Sequence, residues 1–212
     1  MVIIGRINHL KVLKASAQGV VLDGEHLGEV RLPAKQAPSG IRPGQTLDAF
    51  VYMSSEGYPE ATTRKPIAQL GDVAWLRVVS ITSAGAFLDW GAPRDLLLPK
   101  REQLPDIAEG EHCLVKIFLD EQQRITASEH LNDFIDETST DYKEGQKVSL
   151  VVAEGTALGI KVIVNDSHWG LLYHDEIFTP LSVGERVEGF VKPGSIELHP
   201  PMAKSGCGRT HQ

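Results

Sequence analysis

The chain has 212 residues, 42% hydrophobic and 23% charged, with a formal net charge of −7. That is an ordinary globular mixture, long enough for one large domain or two to three small ones, and its acidity argues against a body attractive to nucleic acid over its whole surface. No run approaches the roughly 20 apolar residues of a membrane span, Met1 to Arg6 does not read as a signal peptide, and the two cysteines, Cys113 and Cys207, exclude a disulfide framework or an all-cysteine zinc site. The expected compartment is the cytoplasm.

Taken in chain order, the glycines come first. Gly5, Gly19 and Gly44 stand 14 and 25 residues apart, and the same gaps recur at Gly71, Gly85 and Gly110 and again at Gly145, Gly159 and Gly184. Fixed spacing of this kind marks a tandem repeat. Apolar positions agree with it. Val12, Val78 and Val152 each lie seven residues past the first glycine, Leu32, Leu98 and Leu172 thirteen past the middle one, and Val51, Ile117 and Val191 seven past the last. Three units are expected, 1–66, 67–136 and 137–200, with a poorly ordered tail over 201–212. The junction Thr63-Arg64-Lys65-Pro66 is short and stiffened by proline.

The second unit shows its strands most clearly. Val73 to Ile81 is rich in strand formers, and Gly85 to Gly91 follows a turn at Thr82-Ser83-Ala84. Then come Asp95 to Pro99, His112 to Leu119, a polar turn at Asp120 to Gln123, and Arg124 to Ala127. Five short antiparallel strands remove their edges by closing on themselves, and a glycine inside a strand marks a bulge or sharp coil. The expected fold class is all-β: three tandem five-stranded OB barrels with short linking helices. One such helix is expected over 128–137, capped by Ser128, with Leu131, Phe134 and Ile135 on one apolar stripe.

From Gly71 to Ser128 the pattern resembles the S1-like RNA-binding domain. It carries Gly71, Ala84-Gly85-Ala86-Phe87-Leu88, Leu96-Leu97-Leu98-Pro99, Glu109-Gly110 and Arg124-Ile125-Thr126-Ala127-Ser128. The third unit keeps Gly170-Leu171-Leu172-Tyr173-His174-Asp175-Glu176. Gly57 to Pro66, with Gly85 to Gly91 and Asp95 to Pro99, is similar to the bacterial conserved virulence factor B family. That resemblance covers residues 1 to 192. It implies three S1-like barrels, a carboxy-terminal winged helix and an RNA-binding regulator. Pro193 onward does not resemble the start of a winged helix, so an intact one is not expected here. Aromatics flank the middle glycine in most S1-like domains; here the positions hold Gln18 and Val21, Ala84 and Phe87, and Leu158 and Lys161. The place of the family histidine holds Pro33, Pro99 and Tyr173.

Binding of single strands by OB barrels needs stacking aromatics and basic residues. By unit the net charge is +2 over 1–66, −6 over 67–136 and −3 over 137–212. The basic surface therefore belongs to the first barrel, where Arg6, Lys11, Arg31 and Lys35 are candidates for RNA contact. In the second barrel Phe87, Phe118 and Arg124 are candidates for a stacking face, against the alternative that either phenylalanine fills the core. Phe87 shares a face with Asp89 by period two, which favours an outward position. Tyr173 and His174 are the candidates in the third barrel. Trp75, Trp90 and Trp169 are expected to pack.

His168 and His174, with Asp166 and Asp175 nearby, match no compact zinc spacing, and no metal is expected. The chain has no phosphate loop, nucleophile elbow or metalloprotease helix, and adjacent acidic pairs on strands point to opposite faces. No catalytic residue and no small-molecule cofactor are expected. The reading is a non-catalytic binder of single-stranded RNA acting post-transcriptionally, without a membrane partner. The alternative is a protein-interaction scaffold whose acidic barrels dock a basic protein partner.

Overall fold

The structure, a computed structural model, describes residues 1–137, 141–193 and 195–198, the last four by backbone alone. The expected tail over 201–212 lies outside the described residues. Two compact units are present, Met1–Phe134 and the chain from Ile135 onward. Among the described residues no helix is long and apolar enough to cross a membrane.

The first unit carries two sheets. β1 (Ile7–Ser16), β2 (Gly19–Asp23), β3 (Glu29–Pro33), β4 (Thr46–Met53) and β5 (Pro59–Thr62) form a closed barrel in the order β1-β2-β3-β5-β4. β6 (Val73–Ile81), β7 (Gly85–Asp89), β8 (Leu96–Pro99), β9 (His112–Leu119) and β10 (Ile125–Ser128) run in the order β10-β9-β6-β7-β8. The second unit repeats that order with β11 (Lys147–Gly155), β12 (Gly159–Val164), β13 (His168–Tyr173), β14 (Arg186–Lys192) and β15 (Ser195–Leu198). The fold is all-β, three successive five-stranded barrel sheets of one topology.

The glycine repeat has a direct structural meaning. Each first glycine donates its N–H to the carbonyl of the apolar residue found seven past the last glycine: Gly5 to Val51 at 2.7 Å, Gly71 to Ile117 at 2.9 Å, Gly145 to Val191 at 2.8 Å. Each last glycine donates to the valine seven past the first: Gly44 to Val12, Gly110 to Val78, Gly184 to Val152, at 2.8, 2.9 and 2.8 Å. The spacing is thus the closure of the first strand onto the fourth, written once per barrel. The middle glycines answer to crowding. A Cβ at Gly19 would stand 2.6 Å from the Leu32 carbonyl oxygen, and at Gly85 and Gly159 it would press harder still on the carbonyls of Leu98 and Leu172. Each barrel coils tightly there, and the first strand of each carries a register shift, at Val12/Lys14, Val78/Ser80 and Val152/Glu154.

The cores follow the strand alternation. Leu10, Val12, Val20, Leu22, Val30, Leu32 and Val51 fill the first barrel, Leu76, Val78, Leu88, Leu98, Val115 and Ile117 the second, and Val148, Leu150, Val162, Val164 and Leu172 the third. Phe50 and Tyr52 of β4 belong instead to the cluster of the second barrel. They point out of the first barrel and are buried against its neighbour.

The expected helix over 128–137 is not formed. The segment contains one 3-10 turn, Leu131–Asp133, and Ser128 ends β10, paired with Lys116. Tertiary partners take the groups a helix would use. Glu129 donates its N–H to the Glu102 carbonyl, its carboxylate accepts from Leu104 N–H at 2.7 Å, and the Ser128 hydroxyl accepts from His130 N–H. Ile135 is buried, but Phe134 and Leu131 are only half-buried.

Candidate nucleic-acid interface

The second barrel bears a row of side chains across four strands. Phe87 on β7 is in register with Leu97 on β8, and Thr126 on β10 with Phe118 on β9. The two halves meet where the Thr126 hydroxyl donates to the Leu97 carbonyl at 3.1 Å, fastening β10 to β8. Phe87 and Phe118 are half-buried, and Ala86, Leu88 and Ile117 beside them are buried in the core. The alternation therefore turns both phenylalanines outward, and Asp89 shares the face of Phe87 as expected. The ring of Phe134 lies 4.6 Å from that of Phe118, supporting one edge of the row.

This row floors a groove of about 940 Å³. Ala84 of the β6–β7 turn, Asp120, Gln123 and Arg124 of the β9–β10 turn, and Lys100, Arg101 and Glu102, a 3-10 turn after β8, line it as well. The strand 2–3 face and these two turns are where OB folds hold oligomeric ligands. The first barrel contributes Ile4, Tyr52 and Met53 to the lining.

Four basic and three acidic side chains line it. Arg124 is held by Asp120 at 2.8 Å, and Asp120 also accepts from the N–H groups of Arg124 and Gln122. Those backbone donors, with the guanidinium, keep the Asp120 carboxyl below its ordinary pKa of 3.8. Arg101 sits 3.3 Å from Glu102, and Arg94 donates through Nη1 to the Met53 carbonyl at 3.2 Å. Lys100 is exposed and makes no ion pair among the described residues. The turn carrying these bases is fixed from behind. His130 Nε2 lies 3.1 Å from the Arg101 carbonyl, Gln103 donates to Leu98, and Glu129 accepts from Leu104.

Of the residues singled out in the sequence, Phe87, Phe118 and Arg124 come together on this groove. Arg6 instead donates through Nε to the Leu70 carbonyl at the junction of the first two barrels. Lys11 is exposed on β1 opposite Thr46, Arg31 is exposed on β3 between Val21 and Glu60, and Lys35 is exposed on the 3-10 turn Ala34–Gln36. Tyr173 ends β13 and His174 opens the turn after it, both exposed in the second unit. Trp90 packs as expected, its Nε1 donating to the Arg94 carbonyl at 2.6 Å. Trp75 does not pack; it is exposed and stacked on His112 at 5.9 Å. Trp169 is half-buried beneath the Lys161 ammonium, 3.9 Å from the ring centroid.

Tyr52, Met53, Arg94, Leu97, Lys100 and Arg101 were not singled out. A signal for two of them was present. Lys35 and Arg101 are the same repeat position, 66 residues apart, and His174 occupies that of Lys100, 74 later.

Comparison with known proteins places this geometry. YitL of Bacillus subtilis is 25% identical over 83% of this chain and 62% of its own length. The Conserved virulence factor B of Staphylococcus epidermidis is 23% identical over 88% of this chain and 66% of its own, and that of Staphylococcus saprophyticus 24% over 71% and 52%. The chain thus spans between about half and two thirds of the length of these relatives. A crystal structure from Streptococcus pneumoniae, described as a multidomain protein with nucleic acid binding domains, shares the fold: TM-score 0.50 at 15% identity, covering 93% of this chain and 74% of that one. These relatives agree with the family resemblance carried by Gly57 to Pro66 and the glycine-leucine stretches. The S1 domain family model matches twice, over residues 4–64 and 70–130, which is more than half of the chain and takes in the first two barrels, so the chain belongs to the S1 domain family.

Proposed function

We propose that this chain binds single-stranded RNA through the groove of the second barrel, without catalysis, and so influences gene expression after transcription. The observation that carries the reading is the row made of two in-register pairs, Phe87–Leu97 and Thr126–Phe118, fastened between Leu97 and Thr126, with Lys100, Arg101 and Arg124 lining the same groove. Aromatic faces accept unpaired bases and basic side chains follow the phosphates; a base inside a duplex offers no free face to stack upon. Membership of the S1 family and the similarity to virulence-factor B proteins support the same reading.

The test is fluorescence anisotropy with labelled single-stranded RNA, its duplex and the matching DNA. Phe87→Ala is expected to weaken single-strand binding by about 1–3 kcal/mol, the worth of one stacked base. Equal affinity for duplex and single strand, or an unchanged Kd in a folded Phe87→Ala variant, would sink the proposal. The net charge of −6 over residues 67–136 favours a second reading, docking of a basic protein partner. Binding of such a partner would persist in Phe87→Ala and be abolished by neutralising acidic side chains outside the groove.

A further inference from the structure

The first barrel carries the counterpart of the row in the groove. Val21, Arg31, Glu60 and Tyr52 lie 66 residues before Phe87, Leu97, Thr126 and Phe118. They are in register in the same way: Val21 with Arg31, Arg31 with Glu60, Glu60 with Tyr52. The bridge between Arg31 and Glu60 is the one that closes the first barrel, as Thr126 and Leu97 fasten the second. Its last member, Tyr52, also lines the second barrel's groove, next to Met53. The row of one barrel therefore ends on the wall of the groove of the other.

The two barrels are joined firmly at this place. Leu70 N–H donates to the Gly5 carbonyl at 2.8 Å, Ile7 N–H to Gln69 at 2.7 Å, and Arg6 to Leu70 at 3.0 Å. The Phe50 and Trp90 rings meet edge to face at 5.3 Å inside one buried cluster. Tyr52 is held too. Its hydroxyl donates to Glu60 at 2.9 Å, and burial with that carboxylate pushes its pKa up to about 12, so it stays neutral. Beyond it Arg31 is exposed.

We propose that one nucleic-acid strand occupies both barrels, leaving the groove past Met53 and reaching Arg31 on the first barrel. The inference rests on the reading of the groove as a single-strand site. Two faces on one rigid body act on a strand as linked sites, and binding to the second needs no further ordering of a flexible linker. The occupant is a single strand because the path starts on the outward phenylalanines of the groove and ends on an exposed arginine. A duplex has no bases to lay along it.

The experiment measures Kd of the whole chain for oligouridylates of about 4, 8 and 16 nucleotides, the range that single OB folds cover. The wild type is expected to gain affinity at the longest length. Arg31→Ala and the charge reversal Arg31→Glu, at an exposed position outside the groove lining, are expected to remove that gain, roughly five- to tenfold, and to leave the shortest oligomer unchanged. Phe87→Ala is expected to weaken every length. Wild-type affinity of Arg31→Ala and Arg31→Glu for the longest oligomer, with Phe87→Ala still weakened, would overturn the shared path and leave the groove as the site. Absence of binding at every length would overturn both.

Discussion

At Glu129 a half-buried carboxylate accepts from Leu104 N–H and so holds the turn that presents Lys100 and Arg101. Burial keeps its pKa above the ordinary value of 4.5. A carboxyl whose folded pKa is raised binds its proton more tightly in the folded chain than in the unfolded one. Its contribution to stability is therefore full below 4.5 and declines as pH rises through the interval up to the raised value. Glu129→Gln keeps an acceptor for Leu104 and removes the charge. The variant is expected to show a flatter decline of the urea midpoint between about pH 4 and pH 8. A decline as steep as that of the wild type would contradict this account. Cys113 is governed by burial alike: its thiol is pushed up to about 12 and does not ionise at neutral pH, which makes it a packing residue of β9.

At the level of elements, β4 explains how the barrels combine. Ala49, Phe50, Val51 and Tyr52 are four consecutive buried residues. In a strand that faces water on one side, apolar residues alternate; a continuous run means both faces are covered. The run was plain in the sequence, but what covers Phe50 and Tyr52 was not, because nothing local names Trp90 and Ala68 as neighbours. Truncating Phe50 to alanine is expected to cost about 3–5 kcal/mol. In a cycle with Trp90→Ala the two changes should couple by about 0.5–1.5 kcal/mol, read from chemical denaturation. Additive losses would separate the two rings energetically. The 128–137 segment shows the opposite failure. Its apolar spacing reads as a helix, but the ends of β8 and β10 compete for its backbone groups, and Glu102 and Leu104 take the partners an isolated helix would need.

For the whole molecule the charge of −7 describes no single surface. The groove is lined by Arg94, Lys100, Arg101 and Arg124 within a stretch whose balance is −6. Of these, Arg101 and Arg124 are already paired with carboxylates and Arg94 with a backbone carbonyl. Phosphate contact is therefore expected to involve few counterions, and binding to depend only gently on salt. Lys100→Gln should weaken binding without altering base preference and lower the salt slope by about one. Slopes identical to those of the wild type would remove Lys100 from the phosphate path.

The sequence by itself determined the three-fold repeat and the strands of the second barrel, because each barrel closes through the same glycine N–H groups and cannot tolerate a Cβ against the third strand. It also placed Phe87 outward, since period two is a local property of a strand. Only the tertiary structure decided that Tyr52 and Met53 belong to the groove, that Arg6 serves the junction rather than an open surface, and that Ser128 ends a strand instead of capping a helix. Those outcomes depend on contacts between residues far apart in the chain, where burial and competition for hydrogen bonds outweigh local pattern.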